Sequence, residues 1–199
     1  MKSPKIVLSV LIAMGGCIPV YSSECPFPED AGASVLIDYL KDHRPEEENA
    51  CIDRSFEKLK SQLTKSKLSD EQVGVLIRFL DHKRLPSAAE QQGFAIHFSP
   101  TAEQYPAVGS IFLLGGRAIN PLLSALRTPE VTPRFQENAA LAWSLIYRDD
   151  PSAGVRALVQ AATSQSDPAR ASNLRKAAIS VDHNCPESVR RECDSELSR

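Results

Sequence analysis

The chain has 199 residues, with 23 basic and 25 acidic side chains and a formal net charge of −2. This balance argues against nucleic-acid binding, which needs a concentrated basic face. The length is sufficient for one domain with a sizeable core, and prolines and glycines are scattered between apolar runs rather than gathered in linkers. We therefore predict a single continuous domain over 24–199 and no nucleic-acid partner.

Residues 1–23 have the pattern of an export signal. Lys2 and Lys5 precede an apolar run from Ile6 to Met14, and small residues follow it. The run is shorter than the roughly 20 residues that a membrane-spanning helix needs, and we find no later stretch that is long enough. We expect a soluble exported protein, periplasmic or extracellular, without a transmembrane segment.

Two processing routes fit this signal. Val20, Tyr21 and Ser22 offer the small residues that an ordinary signal peptidase accepts before its cut. The alternative makes Cys17 the first mature residue, because residues 13–17 resemble a bacterial lipoprotein box. In that case Cys17 carries a lipid anchor.

Four cysteines remain for pairing on either route, namely Cys25, Cys51, Cys185 and Cys193. Four cysteines allow three connectivities, and their clustering near the two ends favours Cys25 with Cys51 and Cys185 with Cys193. Eight helical steps span about 12 Å along an axis, whereas bridged Cα atoms lie roughly 4.4 to 6.8 Å apart. The second pair therefore needs a bend, which we expect at Pro186.

A zinc site built from His183, Cys185 and Cys193 is the alternative use of the last two cysteines. Export favours oxidation of thiolates, and no second spaced pair completes a tetrahedral set. We therefore predict no metal site and no cofactor.

Apolar residues recur at three and four steps and almost nowhere alternate, which predicts an all-α fold. We interpret 24–82 as a helical cap of three helices. The second is predicted over 47–63, and the third opens with Ser69 and Gln72 spaced as a capping box. The first carries the apolar stripe Val35, Leu36, Tyr39 and Leu40.

The pattern weakens in a connector over 83–104. Its prolines interrupt a stretch that still carries Phe94, Ile96 and Phe98, with Tyr105 just beyond. A loop of this length is often functional. We favour the other interpretation, in which these residues fill the seam between the cap and the segment that follows.

An apolar pattern recurs at a spacing of 33 residues in the second half of the chain. Periods of 20 to 50 residues are typical of solenoids, whose units stack to bury their apolar faces. Leu122 and Leu126 repeat in the same register as Val155 and Val159. The main series is Val108, Phe112 and Leu113, then Leu141, Leu145 and Ile146, then Leu174, Ala178 and Ile179.

The segment from Leu113 to Leu123 resembles the junction of a HEAT-like repeat. Its Gly115 and Gly116 are suited to end one helix, and Pro121 is tolerated in the first turn of the next. The resemblance implies an irregular right-handed α-α superhelix of helical hairpins over 105–182. It also implies a tendency to bind other proteins. Residues 183–199 are then a C-terminal helix tied by a disulfide.

No catalytic motif is present in the sequence. The hydrolase elbow, the zinc-protease motif and the phosphate-binding loop are all absent. We interpret His97 as a packed side chain and His82 as a cation at a helix C-terminus, where positive charge is favourable. We do not expect an enzyme.

Three residues of the second repeat are candidates for partner binding, namely Trp143, Tyr147 and Arg148. Trp143 stands two positions from Leu141 and from Leu145, off the predicted inward stripe. Aromatic and arginine side chains of this kind are enriched in interface hot spots. The alternative is that both aromatic rings pack against the neighbouring hairpin.

We therefore expect an exported, non-catalytic protein-interaction module that binds a protein or peptide on its repeat surface. An inhibitor or immunity-type protein directed against an exported enzyme is the more specific version. The alternative is an enzyme or small-ligand binder with a pocket between cap and repeats near Phe94 to Tyr105.

Overall fold

The fold is described from a computed structural model, which covers residues 25–86, 101–128 and 130–198. The regular secondary structure in these ranges is helical throughout, as the apolar periodicity predicted. The proposed signal, Cys17 and the connector residues Phe94, Ile96, His97 and Phe98 lie outside the described residues.

The cap contains α1 (Ala33–Lys41), α2 (Ala50–Lys60) and α3 (Asp70–Arg78), which a 3-10 turn over Phe79–Asp81 follows. Next come α4 (Thr101–Gln104), α5 (Pro106–Leu114), a 3-10 turn over Gly115–Ala118 and α6 (Ile119–Leu126). The remaining helices are α7 (Pro133–Ile146), α8 (Pro151–Thr163), α9 (Pro168–His183) and α10 (Arg190–Leu197), with a 3-10 turn over Glu187–Val189 before α10.

Local side chains fix where several helices begin. The Ser69 and Gln72 side chains form the reciprocal capping box that the sequence predicted. Thr132, Asp150 and Asp167 each accept hydrogen bonds from the first turn of the helix that follows, and a proline comes next in each case. Such caps satisfy donors that a helix start leaves unpaired.

In the cap, α1 packs on both α2 and α3, while α2 contacts α5 and α3 contacts α6. Leu36 and Leu40 are buried as predicted, but Val35 is 48% exposed and Ile37 takes its place in the core. Around the axis of an α-helix, Ile37 lies at a smaller angle than Val35 from the face formed by Leu36 and Leu40.

A glycine breaks the apolar segment after the cap into two helices. Gly115 has φ of 56°, a left-handed conformation that favours glycine. By length and composition Pro106–Leu126 is long and apolar enough to span a membrane, so the expectation that no stretch after the signal is long enough was wrong; no other such helix occurs among the described residues. In the fold its two helices contact α2, α3 and α7. Just after the break, Arg117 donates to Leu63 O at 2.7 Å.

The helices α5, α7 and α9 form a continuous layer, because α7 packs against both α5 and α9. Two buried asparagines link this layer to preceding segments. Asn138 Nδ2 donates to Leu80 O at 2.6 Å, and Asn173 Nδ2 donates to Thr128 O at 2.9 Å. The other helices stack less regularly, since α8 packs on α9 and α10 whereas α6 packs mainly on α3, α7 and α9.

Both predicted cysteine pairs are disulfides. Cys25 and Cys51 have Cα atoms 5.4 Å apart, and those of Cys185 and Cys193 are 6.7 Å apart. The bend needed by the second pair is present, because α9 ends at His183 and Pro186 precedes the 3-10 turn that leads into α10. Each disulfide therefore ties a terminal segment to the helical core.

Candidate functional site

The predicted partner-binding residues lie together, but their geometry is that of a packed junction. Trp143 is fully buried, and its Nε1 donates to Gly154 O at 3.0 Å. The Tyr147 ring lies 5.1 Å from the Trp143 ring, and Arg148 stacks over Phe112 at 5.3 Å. These contacts tie α7 to α8 and to α5.

Trp143 is thus not a surface residue, which agrees with the alternative that its ring packs against the neighbouring helices and not with an exposed position. The prediction assumed that α7 buries one stripe containing Leu141 and Leu145, yet these two are only half-buried. Because α7 has neighbours on several sides, Trp143 faces α8 instead. Tyr147 is half-buried beside it, and Arg148 keeps an exposed side chain.

A groove between the cap and the helices that follow it is more open than this junction. It consists of two adjoining cavities of about 560 and 480 Å³, which share Gly74, Ile77, Ala125 and Thr128. Helix α3 forms one wall and α6 the other, and we call this the α3–α6 groove. One end is lined by Asp70, Glu71, Asn120, Pro121 and Ser124, and the other by Arg44, Pro45, Glu46, Arg78, Asp81, Glu130, Val131, Thr132 and Phe135.

Gly74 and Ala125 keep the middle of the groove free of large side chains. A Cβ atom built on Gly74 would meet no atom within 4 Å, although the residue lies inside α3. Glycine inside a helix lowers its stability relative to alanine. Gly74 is therefore a position where the size of a side chain controls access to the groove.

A hydrogen bond between the cap and the start of α7 lies at one side of the second cavity. Thr132 Oγ1 donates to Asp81 Oδ2 at 2.6 Å and accepts from Phe135 N at 3.0 Å. The other oxygen of Asp81, Oδ1, is buried and has no hydrogen-bond partner among the described residues. Burial raises the pKa of Asp81; the Thr132 bond opposes this increase, and the charge on Glu46 adds to it.

His82 anchors the loop that carries Pro45 into the groove. The imidazole is buried, with Nδ1 at 2.9 Å from Pro45 O and Nε2 at 2.8 Å from Asp53 Oδ1. Both partners of the ring are oxygen atoms, one of the main chain and one of a side chain. Asp53 Oδ2 also accepts from Leu85 N at 2.9 Å. The prediction that His82 merely caps a helix missed this buried pair.

The groove carries more negative than positive side chains. Its lining includes five carboxylates and two guanidinium groups. One of these, Arg78, donates to the carbonyl oxygens of Leu40, Lys41 and His43 at the end of α1. The exposed Glu71 pairs with Lys41 at 2.8 Å, which lowers the pKa of that carboxyl. Glu46 and Glu130 are exposed at the other end.

The structure does not bring together His183, Cys185 and Cys193, the zinc ligands that the sequence analysis considered as an alternative. The Cys185 and Cys193 sulfurs are bonded to each other, and His183 is exposed. Asp182, rather than His183, lies beside the two sulfurs. Burial raises the pKa of Asp182, and the nearby Asp194 carboxyl raises it further.

Comparison with known proteins found no matching protein family, curated protein or solved structure. The resemblance to HEAT-like repeats therefore remains a prediction from the sequence.

Sequence reasoning missed the groove and the His82 pair, which depend on contacts between distant residues. Thr132 meets Asp81 across 51 positions, and His82 meets Asp53 across 29. The available signal was local: Gly74 lies inside a predicted helix without being needed for a turn, which is typical of a position where space is required.

Proposed function

We propose that the protein is an exported, non-catalytic interaction module that holds an extended, basic segment of a partner polypeptide in the α3–α6 groove. The continuity of the two cavities past Gly74 is the observation that carries this proposal. A groove with two helical walls and an open middle suits a chain that runs along it. In this view the helices from α5 onward form an irregular superhelical scaffold of the HEAT-like kind.

Charge complementarity is the reason for a basic segment. Five carboxylates line the groove against two guanidinium groups, and the Glu46 and Glu130 carboxylates have no ion-pair partner in the described part of the chain. Exposed charges of one sign steer and orient a partner of the opposite sign. A partner segment with lysine or arginine side chains near this end offsets that charge.

Export is supported by the leader pattern and is compatible with the two disulfides, since such bonds persist in oxidising compartments. The groove replaces the Trp143 surface in the proposal, because Trp143 is buried. An inhibitor or immunity-type role fits this architecture, with the basic segment belonging to an exported enzyme.

The proposal is tested by selecting random peptides displayed on phage against the oxidised protein. Enriched peptides should be basic and should bind the wild type and Gly74→Ala alike. Gly74→Trp, which fills the open middle, should weaken binding by about tenfold or more, or roughly 1.4 kcal/mol. Ile179→Trp, on the exposed face of α9, is the matched control and should bind normally.

The charge argument has its own variants in the same assay. Glu46→Lys combined with Glu130→Lys should weaken the basic peptides, and added salt should weaken binding to the wild type. Binding that is unaffected by Gly74→Trp in a folded protein would contradict the groove. Enrichment of acidic peptides would contradict the proposed charge of the partner.

A further inference from the structure

The Cys185–Cys193 disulfide has an unusual buried neighbour. Asp182 is 5% exposed, and its carboxylate oxygen and the two cysteine sulfurs all lie within 4.8 Å of one another. Asp182 Oδ1 is buried and has no hydrogen-bond partner among the residues that the structure describes. A buried carboxylate with an open acceptor is unfavourable unless something binds it.

The nearest arginine does not bind this oxygen. Arg190 directs its guanidinium to the main-chain oxygens of Asp182 and His183, at 2.8 and 3.3 Å. These bonds cap the end of α9. The Asp182 carboxyl therefore lies beside the two sulfurs and the Asp194 carboxyl.

We propose that Asp182, Cys185 and Cys193 form a binding site for Zn²⁺ or a similar thiophilic cation when the disulfide is reduced. Two molecules of a small thiol reduce the bond: they leave joined as their own disulfide, and two cysteine thiols form. Zn²⁺ then binds both sulfurs as thiolates, and their two protons pass to the solvent. The site is independent of the α3–α6 groove.

The ligand types favour zinc over calcium or magnesium. Thiolates are soft ligands that select zinc-like ions, whereas calcium and magnesium prefer sets made only of oxygen. A water molecule or the carboxylate of Asp194, which reaches Asp182, completes the four-coordinate set that zinc adopts. Asp182 occupies the place that the sequence interpretation gave to His183.

Contacts other than the disulfide hold the ligands together. Helix α10 packs on both α8 and α9, and Arg156 of α8 forms an ion pair with Glu196 of α10 at 3.0 Å. Cys185 and Cys193 are both buried. We therefore expect α10 to stay docked after reduction, with the two thiols facing Asp182.

The test is a titration of the reduced full chain with Co²⁺, a coloured substitute for Zn²⁺. We expect a thiolate-to-cobalt charge-transfer band that saturates at one Co²⁺ ion per chain. Added Zn²⁺ should displace the cobalt and abolish the band. The oxidised protein should give no band. The paired replacement Cys185→Ser with Cys193→Ser should remove the band, whereas Cys25→Ser with Cys51→Ser is the matched control and should keep it.

Asp182→Asn should weaken Co²⁺ binding by at least about tenfold, as expected for loss of a group that holds the metal. Zn²⁺ should also raise the melting temperature of the reduced wild type and not that of the reduced Asp182→Asn protein. This second measurement keeps the test valid if reduction loosens the fold. A band that survives loss of Cys185 and Cys193, or equal binding by Asp182→Asn, would overturn the proposal. So would the absence of both a band and a thermal shift.

Discussion

At the residue scale, the His82 and Asp53 pair is the main buried polar link within the cap. His82 is enclosed by Phe56 and Phe79, and its two ring nitrogens contact Pro45 O and Asp53. A buried polar group that loses its partner bears the full cost of its desolvation. The pair therefore fixes the Pro45 loop at the edge of the groove.

We predict that His82→Leu lowers the free energy of unfolding by about 2 to 4 kcal/mol, because apolar volume is kept while Asp53 Oδ1 and Pro45 O lose their partner. Urea unfolding measures this loss. Asp53→Ala and the double variant complete a cycle, in which the two losses should not add. Additive losses would mean that the pair contributes no coupling.

A second prediction concerns pH and Asp81. Its pKa is higher in the folded state because of burial, so the native state binds a proton more readily than the unfolded chain. Stability contributed by this group is present at low pH and falls as pH rises from the ordinary aspartate range through the raised pKa. Asp81→Asn should therefore increase stability at neutral pH and flatten this part of the profile.

The measurement is the difference in urea-unfolding free energy between wild type and Asp81→Asn across mildly acidic to neutral pH. Thr132→Val is a useful companion, because it removes the 2.6 Å bond that opposes the pKa increase. Thr132→Val should make the pH dependence of the unfolding free energy steeper. A profile that Asp81→Asn leaves unchanged would show that Asp81 titrates normally.

At the element scale, two glycines inside helices have opposite surroundings. A Cβ on Gly154 would lie 2.9 Å from Tyr147 Cβ, where α8 packs against α7, whereas a Cβ on Gly74 would meet nothing within 4 Å. An alanine substitution at each position therefore distinguishes the effect of packing on stability from the effect of helix propensity.

We predict that Gly154→Ala destabilises the protein, since overpacking typically costs about 1 to 3 kcal/mol. Gly74→Ala should stabilise it by up to about 1 kcal/mol, because alanine favours the helix and no neighbour has to move. Thermal and urea unfolding of the two variants measure the signs. Stabilisation by both would show that the α7–α8 junction yields easily to an extra methyl group.

Helix starts were largely predictable at this scale because their signals are local. Ser69 with Gln72, and proline after Asp150 or Asp167, each act within one turn of the residue that they cap. The burial of Trp143 was not predictable in this way, because it depends on α8 packing closely against α7 at Gly154. The apolar positions of α7 by themselves indicate one buried face. The helices packed around α7 bury residues on other faces as well.

At the scale of the whole molecule, disulfides tie both ends of the described chain to the core. The cysteines of the first are separated by 26 residues and those of the second by 8. In the chain-entropy model the longer loop stabilises more, with a difference of about 1 kcal/mol at these lengths.

We therefore predict that Cys25→Ala with Cys51→Ala lowers stability more than Cys185→Ala with Cys193→Ala does. Calorimetry on the two double variants under oxidising conditions makes the comparison. Equal or reversed losses would mean that local packing around the cysteines, and not loop closure, determines their contribution.

The all-α class and the cysteine pairs were predictable at this scale, but the α3–α6 groove was not. Its walls come from segments far apart in sequence, and its width depends on Gly74 facing Ala125. Hydrophobic periodicity identifies what is buried within a helix. It does not identify which helices leave a gap between them.

The most direct test of the account is an NMR titration of the oxidised, ¹⁵N-labelled protein with a selected basic peptide. We predict shifts of the amides of Gly74, Ser124, Ala125 and Thr128, and no such shifts in Gly74→Trp. Shifts confined to the exposed face of α9 around Arg175 and Ile179, with the groove amides unmoved, would contradict the claim that the groove is the binding site.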